Sequence, residues 1–229
     1  MLQSRRDFWP LHFIKGNGSI MLDYSILPLF LTAVFVLLIT PGPDMAFIIA
    51  IGIAQGRKPA FFAGLGITSA MFMHGIAAAV GISALVSAFP IAFDIIRYTG
   101  ATYLVWLAIK NFRDSPHINH PQNTIISLRE NFQRGFWTNI LNPKAILFEA
   151  VFLPQFANPA LGAIGWQIFI LGTIIALCGF IWNSILAGTM GSIARFLIRN
   201  HRVQSFQKWL LSMVYVGLAI RLLATERPS

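Results

Sequence analysis

An apolar stretch of membrane-spanning length starts near Tyr24, is interrupted by Pro41-Gly42-Pro43-Asp44, and then resumes as far as Ala54. Asn142-Pro143-Lys144 interrupts another apolar stretch, Gly135 to Phe156, in the same way. A proline inside a helix removes one backbone donor and clashes with the preceding turn. In hydrocarbon each freed backbone group costs roughly several kcal/mol unless protein or water satisfies it. Two breaks that each carry a charge therefore do not belong against lipid. They predict broken helices lining a polar cavity near the bilayer midplane, the arrangement by which many transporters build substrate sites.

Composition places the whole chain in a membrane. It is 56% hydrophobic and 11% charged, against about 25% charged residues in an ordinary soluble domain. The net charge of +9 does not indicate nucleic acid, because the basic residues fall in short clusters between apolar spans and not along one amphipathic face. Lysines and arginines that flank helices, facing anionic lipid and setting topology, account for them. The single cysteine, Cys178, lies in an apolar span and reads as a small packing residue.

Residues 1–21 stand apart as an extension expected to be disordered. Its basic residues Arg5, Arg6 and Lys15 enclose an apolar run broken by Pro10 and His12, too short for a spanning helix, and Met21 is an alternative start. Six spans follow, about Tyr24–Ala54, Ala60–Phe89, Ile91–Phe112, Gly135–Phe156, Leu161–Ala187 and Trp209–Ala224. The expected fold is all-α and polytopic. Residues 22–113 form one three-helix repeat, 114–134 a cytoplasmic loop, 135–224 a second repeat and 225–229 a tail. The second span carries Gly64, Gly66, Ala70, Gly75, Ala79 and Gly81, small residues that let helix backbones approach closely.

The halves echo one another. Leu107-Ala108-Ile109-Lys110 matches Leu218-Ala219-Ile220-Arg221, Arg97 falls opposite Lys208, and aligning Pro43 with Pro143 sets Asp44 opposite Lys144. Two halves in series, each with an odd number of spans, have opposite orientations and make an inverted repeat. Loop charge orients them. Arg57 and Lys58, then Arg113, Arg129 and Arg134, then Arg195, Arg199 and Arg202 mark three cytoplasmic connections, with both ends of the chain outside. Arg5, Arg6 and Lys15 favour the reverse unless Met21 is the start.

Asp44 and Lys144 are the leading functional candidates, since a charge at mid-membrane is expensive and marks a pathway or a paired site. The structural alternatives are an N-cap role for Asp44 and snorkelling for Lys144. The restarted half-helices, shaped by Pro41, Gly42, Pro43 and Pro143, are expected to point their positive N-terminal ends into one cavity. Their amides and Lys144 hold a substrate carboxylate there, while Asp44 holds an α-ammonium group or exchanges a proton. That pairing suits a zwitterion, an amino acid. Thr40, Asn139, Asn142 and Gln155 are further hydrogen-bonding candidates. Glu149 reads either as a proton carrier or as a group facing the headgroups. His74 reads as one interhelical hydrogen bond or a titrating group, and Thr68, Gln167 and Asn183 as helix-packing contacts. Trp9, Trp106, Trp137, Trp166, Trp182 and Trp209 read as interface-belt residues. No phosphate loop, metal-ligand spacing or activated nucleophile is present, so neither an enzyme nor a cofactor is expected.

Taken together, Pro41-Gly42-Pro43-Asp44 with Gly56-Arg57-Lys58, Gly64-Leu65-Gly66-Ile67, Gly100-Ala101-Thr102-Tyr103-Leu104, Gly135-Phe136-Trp137-Thr138-Asn139, Asn142-Pro143-Lys144-Ala145 and Leu153-Pro154-Gln155-Phe156 resemble the LysE/RhtB family of bacterial amino-acid exporters, from about Leu22 to Ala224. The resemblance implies a six-helix carrier of the bacterial inner (plasma) membrane, multi-pass and driven by the proton gradient. Its implied substrate is a neutral amino acid such as homoserine, threonine or leucine. Glu149 departs from the apolar residue usual after the lysine motif, which leaves open a shifted substrate or coupling ion. The expected partners are the amino acid, a proton or other coupling ion, and lipid; a homodimer is left open. The alternatives are a metal-cation exporter using Asp44 and Glu149 as oxygen ligands, and a non-transporting assembly partner with both charges in lipid-facing or capping positions.

Overall fold

The computed structural model describes residues 22–88, 91–113, 126–189 and 200–224. The extension 1–21, most of the polar loop, Arg195, Arg199 and the tail 225–229 lie outside the described residues. Eight α-helices run through them: α1 (Leu27–Ile39), α2 (Pro43–Gln55), α3 (Arg57–Ala88), α4 (Ile91–Arg113), α5 (Leu128–Ile140), α6 (Pro143–Phe152), α7 (Ile164–Gly188) and α8 (His201–Ala224). Short 3-10 turns cover Tyr24–Ile26, Leu153–Phe156 and Pro159–Leu161.

The first break follows from its prolines. A residue before proline is pushed out of the helical region, and Thr40 and Gly42, which precede Pro41 and Pro43, are both extended. The chain then re-enters a helix at Pro43, where the missing N–H has no partner to lose. The axes of α1 and α2 differ by 50°. The second break repeats the device: α5 stops at Ile140 and α6 restarts at Pro143. Asp44 and Lys144 are thus each the second residue of a restarted helix, as the alignment of the halves expects. Gly56, at φ 95°, ends α2 and starts α3 with no intervening loop, a left-handed conformation that glycine adopts without penalty.

Helix α5 begins earlier than expected. Leu128–Arg134 is helical instead of belonging to the 114–134 loop, because Ser127 caps it: the Glu130 N–H donates to Ser127 Oγ at 3.2 Å. Ser-x-x-Glu is a helix-start pattern that the charged composition of this stretch disguised.

Helix α3 is the hub, packing against α2, α5, α6 and α7, while α4 packs along α8. Glycines set the crossings. A Cβ on Gly66 would lie 2.0 Å from Phe132 O, one on Gly135 2.1 Å from Ala63 O, and one on Gly75 3.0 Å from Gly172 Cα. Backbone therefore touches backbone where α3 meets α5 and α7. Gly81 has nothing within 4 Å of such a Cβ and takes no part in these crossings. An aromatic chain joins α1, α6 and α8: Phe30 stacks on Phe152 at 5.4 Å, Phe152 on Phe148 at 4.7 Å, and Phe148 meets Tyr215 at 5.8 Å.

Leu29, Phe35, Val80, Leu177, Ile181 and Ile220 are each more than half exposed, an outer surface suited to lipid. Among the described residues Arg57–Gly81 and Ile164–Gly188 are each long and apolar enough to cross a membrane, and α1 with α2 makes a third, bent crossing. Length and apolarity thus give up to three crossings against the six expected. Within the other helices α4 carries Asp94, Arg97 and Lys110, α5 carries Arg129, Glu130 and Arg134, and α8 holds a shorter apolar stretch, Ser205–Ile220.

Candidate functional site

The two breaks meet. Asn139, in the last turn of α5, donates from Nδ2 to Asp44 Oδ2 at 2.9 Å. The residues flanking both interruptions then wall one cavity of about 100 Å³. Thr40, Gly42, Pro43, Asp44 and Met45 come from the first break, and Asn139, Asn142, Ala145, Phe148 and Glu149 from the second. Helices α1, α3 and α7 complete it with Leu37, Leu38, Ile67, Met71, Trp182, Asn183 and Leu186. A cavity of this scale resembles those of about 150 Å³ that take a benzene ring, so it is suited to a small molecule.

Interruption frees backbone carbonyls, and side chains from distant helices reach them. Gln207 of α8 donates to Ile39 O at 3.1 Å, and His74 Nε2 of α3 lies 3.3 Å from Ile140 O. Each takes the last carbonyl of a half-helix. Thr40 Oγ turns back to Val36 O at 2.7 Å. Polar side chains thus meet the cost of breaking a helix in a dry interior.

Two carboxylates border the cavity. Asp44 does not cap α2: the N-cap is Gly42, and the Asp44 carboxylate lies in the first turn, facing Asn139. An acidic group there is favoured by the helix dipole, and its hydrogen bond from Asn139 is charge-assisted. Glu149 is 3% exposed, which removes the headgroup-facing alternative. Its Oε1 is 3.9 Å from His74 Nδ1, and its Oε2 is buried with no hydrogen-bond partner. Asn139 Oδ1 and Trp182 Nε1 are likewise buried without partners. Acceptors and a donor in such a state are costly, and a bound polar molecule is one way to satisfy them.

Residues 35–226, which take in both breaks and the cavity, match the family described as LysE type translocator. The chain belongs to that family. Among its relatives are the leucine efflux protein of Enterobacter sp. (strain 638), 29% identical over 201 residues covering 84% of this chain and 92% of the relative. The leucine efflux protein of Klebsiella pneumoniae subsp. pneumoniae is 30% identical over 198 residues, 83% of this chain and 90% of the relative. That of Salmonella typhimurium is 27% identical over 192 residues, 83% and 90%. No solved structure matches the chain.

Of the residues singled out in this LysE-type sequence, Thr40, Gly42, Pro43, Asp44, Asn139, Asn142 and Glu149 line the cavity. Pro41 lies in the break but not in the wall. Gln155 does not reach the cavity: it sits in the 3-10 turn after α6, and its Nε2 donates to Val151 O at 3.1 Å. The side chains of Pro143 and Lys144 lie outside the described residues, so their expected roles rest on position in α6 alone. His74 makes the interhelical contact expected of it. Trp182, read as belt material, is in the cavity wall, whereas Trp106, Trp137, Trp166 and Trp209 are about half exposed. Asn183 donates to Thr68 Oγ at 3.2 Å, the packing role expected, but also borders the cavity. A Trp-Asn pair within a long apolar helix is the sequence signal for both. Among the described residues no three His, Cys, Asp or Glu side chains group closely enough to hold a metal ion.

Proposed function

We propose that this protein exports small neutral amino acids, leucine-like in size, from the bacterial cytoplasm across the inner membrane. It does so by alternating access of two inverted three-helix halves, with proton coupling. The hydrogen bond from Asn139 to Asp44 carries the reading, because it joins the two breaks over a single small cavity. Membership of a translocator family and the leucine efflux proteins among the relatives support the direction and the substrate class.

In this reading Asp44 and Asn139 Oδ1 hold the substrate α-ammonium group. Lys144 and the amides at the start of α6 hold the carboxylate, with Asn142 beside them and Pro143 opening that turn. Glu149, shielded from water and 3.9 Å from His74, takes up and releases the coupling proton. An assembly partner without flux would tolerate loss of the charges, yet Asp44 is neither lipid-facing nor a cap.

The test is efflux of labelled leucine from preloaded cells expressing the wild type or Asp44→Asn. The substitution keeps shape and removes the charge, so efflux should fall by about ten- to a hundredfold, corresponding to the roughly 1.5–3 kcal/mol that a hydrogen bond to a charged group contributes. Wild-type efflux from Asp44→Asn would remove the ammonium site from the mechanism.

A further inference from the structure

Gly179 of α7 differs from the glycines that bring helix backbones together. A Cβ added there would meet a side chain: Met71 Sδ at 2.9 Å and Met71 Cε at 3.0 Å, with Leu38 Cδ2 at 3.9 Å. Met71 and Leu38 both line the cavity. Gly179 is therefore a notch in α7 against which the flexible end of a wall residue rests.

The wall groups differ between elements. Helices α2, α5 and α6 bring Asp44, Asn139 and Glu149 and α7 brings Trp182 and Asn183, whereas α1 and α3 present the apolar Leu37, Leu38, Ile67 and Met71. Ile67 and Met71 are one helical turn apart, on one face of α3. A zwitterion whose polar end faces the first set turns its side chain towards the second.

We propose that Met71, seated against Gly179, sets the size of amino-acid side chain that the cavity accepts, and that Gly179 is a specificity-determining position. This rests on the amino-acid-export reading and deepens it by assigning an aliphatic side-chain subsite. Alanine at 179 cannot push the helices apart cheaply, because the Gly75–Gly172 crossing holds α3 and α7 at backbone contact. The unbranched methionine yields instead, and the open space beside it is the cavity. In about 100 Å³, the room for one or two side-chain carbons is decisive.

The experiment is counterflow of labelled leucine and labelled alanine by the full chain in vesicles, comparing wild type, Gly179→Ala, Met71→Ala and the double variant. Gly179→Ala should lower the leucine-to-alanine ratio at least tenfold, the discrimination that one methylene provides in an apolar pocket being roughly 10–200-fold. The double variant, lacking Sδ and Cε, should restore the ratio. Should Gly179→Ala not fold, Met71→Ala alone must shift preference towards labelled phenylalanine. An unshifted ratio in a transporting Gly179→Ala, or an unshifted Met71→Ala, overturns the subsite while leaving export intact. Wild type that moves no amino acid sinks the export reading and the subsite with it.

Discussion

Glu149 lies in an apolar environment with one carboxylate oxygen near an imidazole and the other without a protein partner. Such a group is expensive to keep charged in a dry interior, and exchanging a proton with each cycle is a use for that cost. The ionisable groups around it are Asp44 of α2 across the cavity, His74 of α3, and Lys144 on its own helix, whose side chain lies outside the described residues. Glu149→Gln retains size and hydrogen-bonding capacity but cannot change protonation. Leucine counterflow, which needs no net proton movement, should persist in Glu149→Gln. Leucine movement driven by an imposed pH gradient should collapse to the gradient-free rate. A variant that still follows the gradient would move the coupling proton elsewhere. At this scale the sequence revealed charges and amides placed beside prolines, since a polar group near a helix break has a physical reason to face inward. It did not reveal Met71 or Gly179, because an apolar wall residue looks like any other core residue until the cavity behind it is known. Gln155 misled for the opposite reason: it is polar and near a proline, yet its amide donates to Val151 O in the preceding helix.

Among elements, the α3–α5 crossing packs the helix that carries Asn139 directly against the hub. It depends on Gly66 and Gly135 offering bare backbone to Phe132 and Ala63. Gly135→Ala would put a methyl 2.1 Å from Ala63 O, an atom that cannot swing aside. Overpacking of this kind costs about 1–3 kcal/mol and occasionally more. Thermal unfolding in detergent should show a lower midpoint for Gly135→Ala, and leucine export should fall as Asn139 is carried away from Asp44. An unchanged midpoint together with unchanged export would mean that the crossing has room the geometry denies. The small-residue pattern of the second span announced these close approaches, but their partners were not legible, because pairing depends on which helix lies opposite. The true start of α5 was missed although Ser127 and Glu130 have the spacing of a helix start. Charged neighbours there read as loop in a chain whose other helices are apolar.

For the whole molecule, the packing supports the inverted repeat that we propose. Corresponding elements of the two halves find one another: α3 crosses α7 at Gly75 and Gly172, and α4 packs along α8. Helices α1 and α5 end at Ile39 and Ile140, and a helix restarts at Pro43 and Pro143. In the proposed architecture the two halves rock about the shared cavity, opening first one side and then the other. Inversion makes a sharp statement about sidedness, since it places the starts of α1 and α5 on opposite faces of the membrane. Replacing Cys178 with serine removes the only native thiol, and single cysteines can then be set at Asp23, Lys58, Ser127 and Asn158. An impermeant thiol reagent added to intact cells should label positions 23 and 158 only. Positions 58 and 127 should react only after the membrane is opened. Labelling of both 23 and 127 from outside would give the halves the same orientation. The shared cavity would then need a mechanism other than the rocking of inverted repeats.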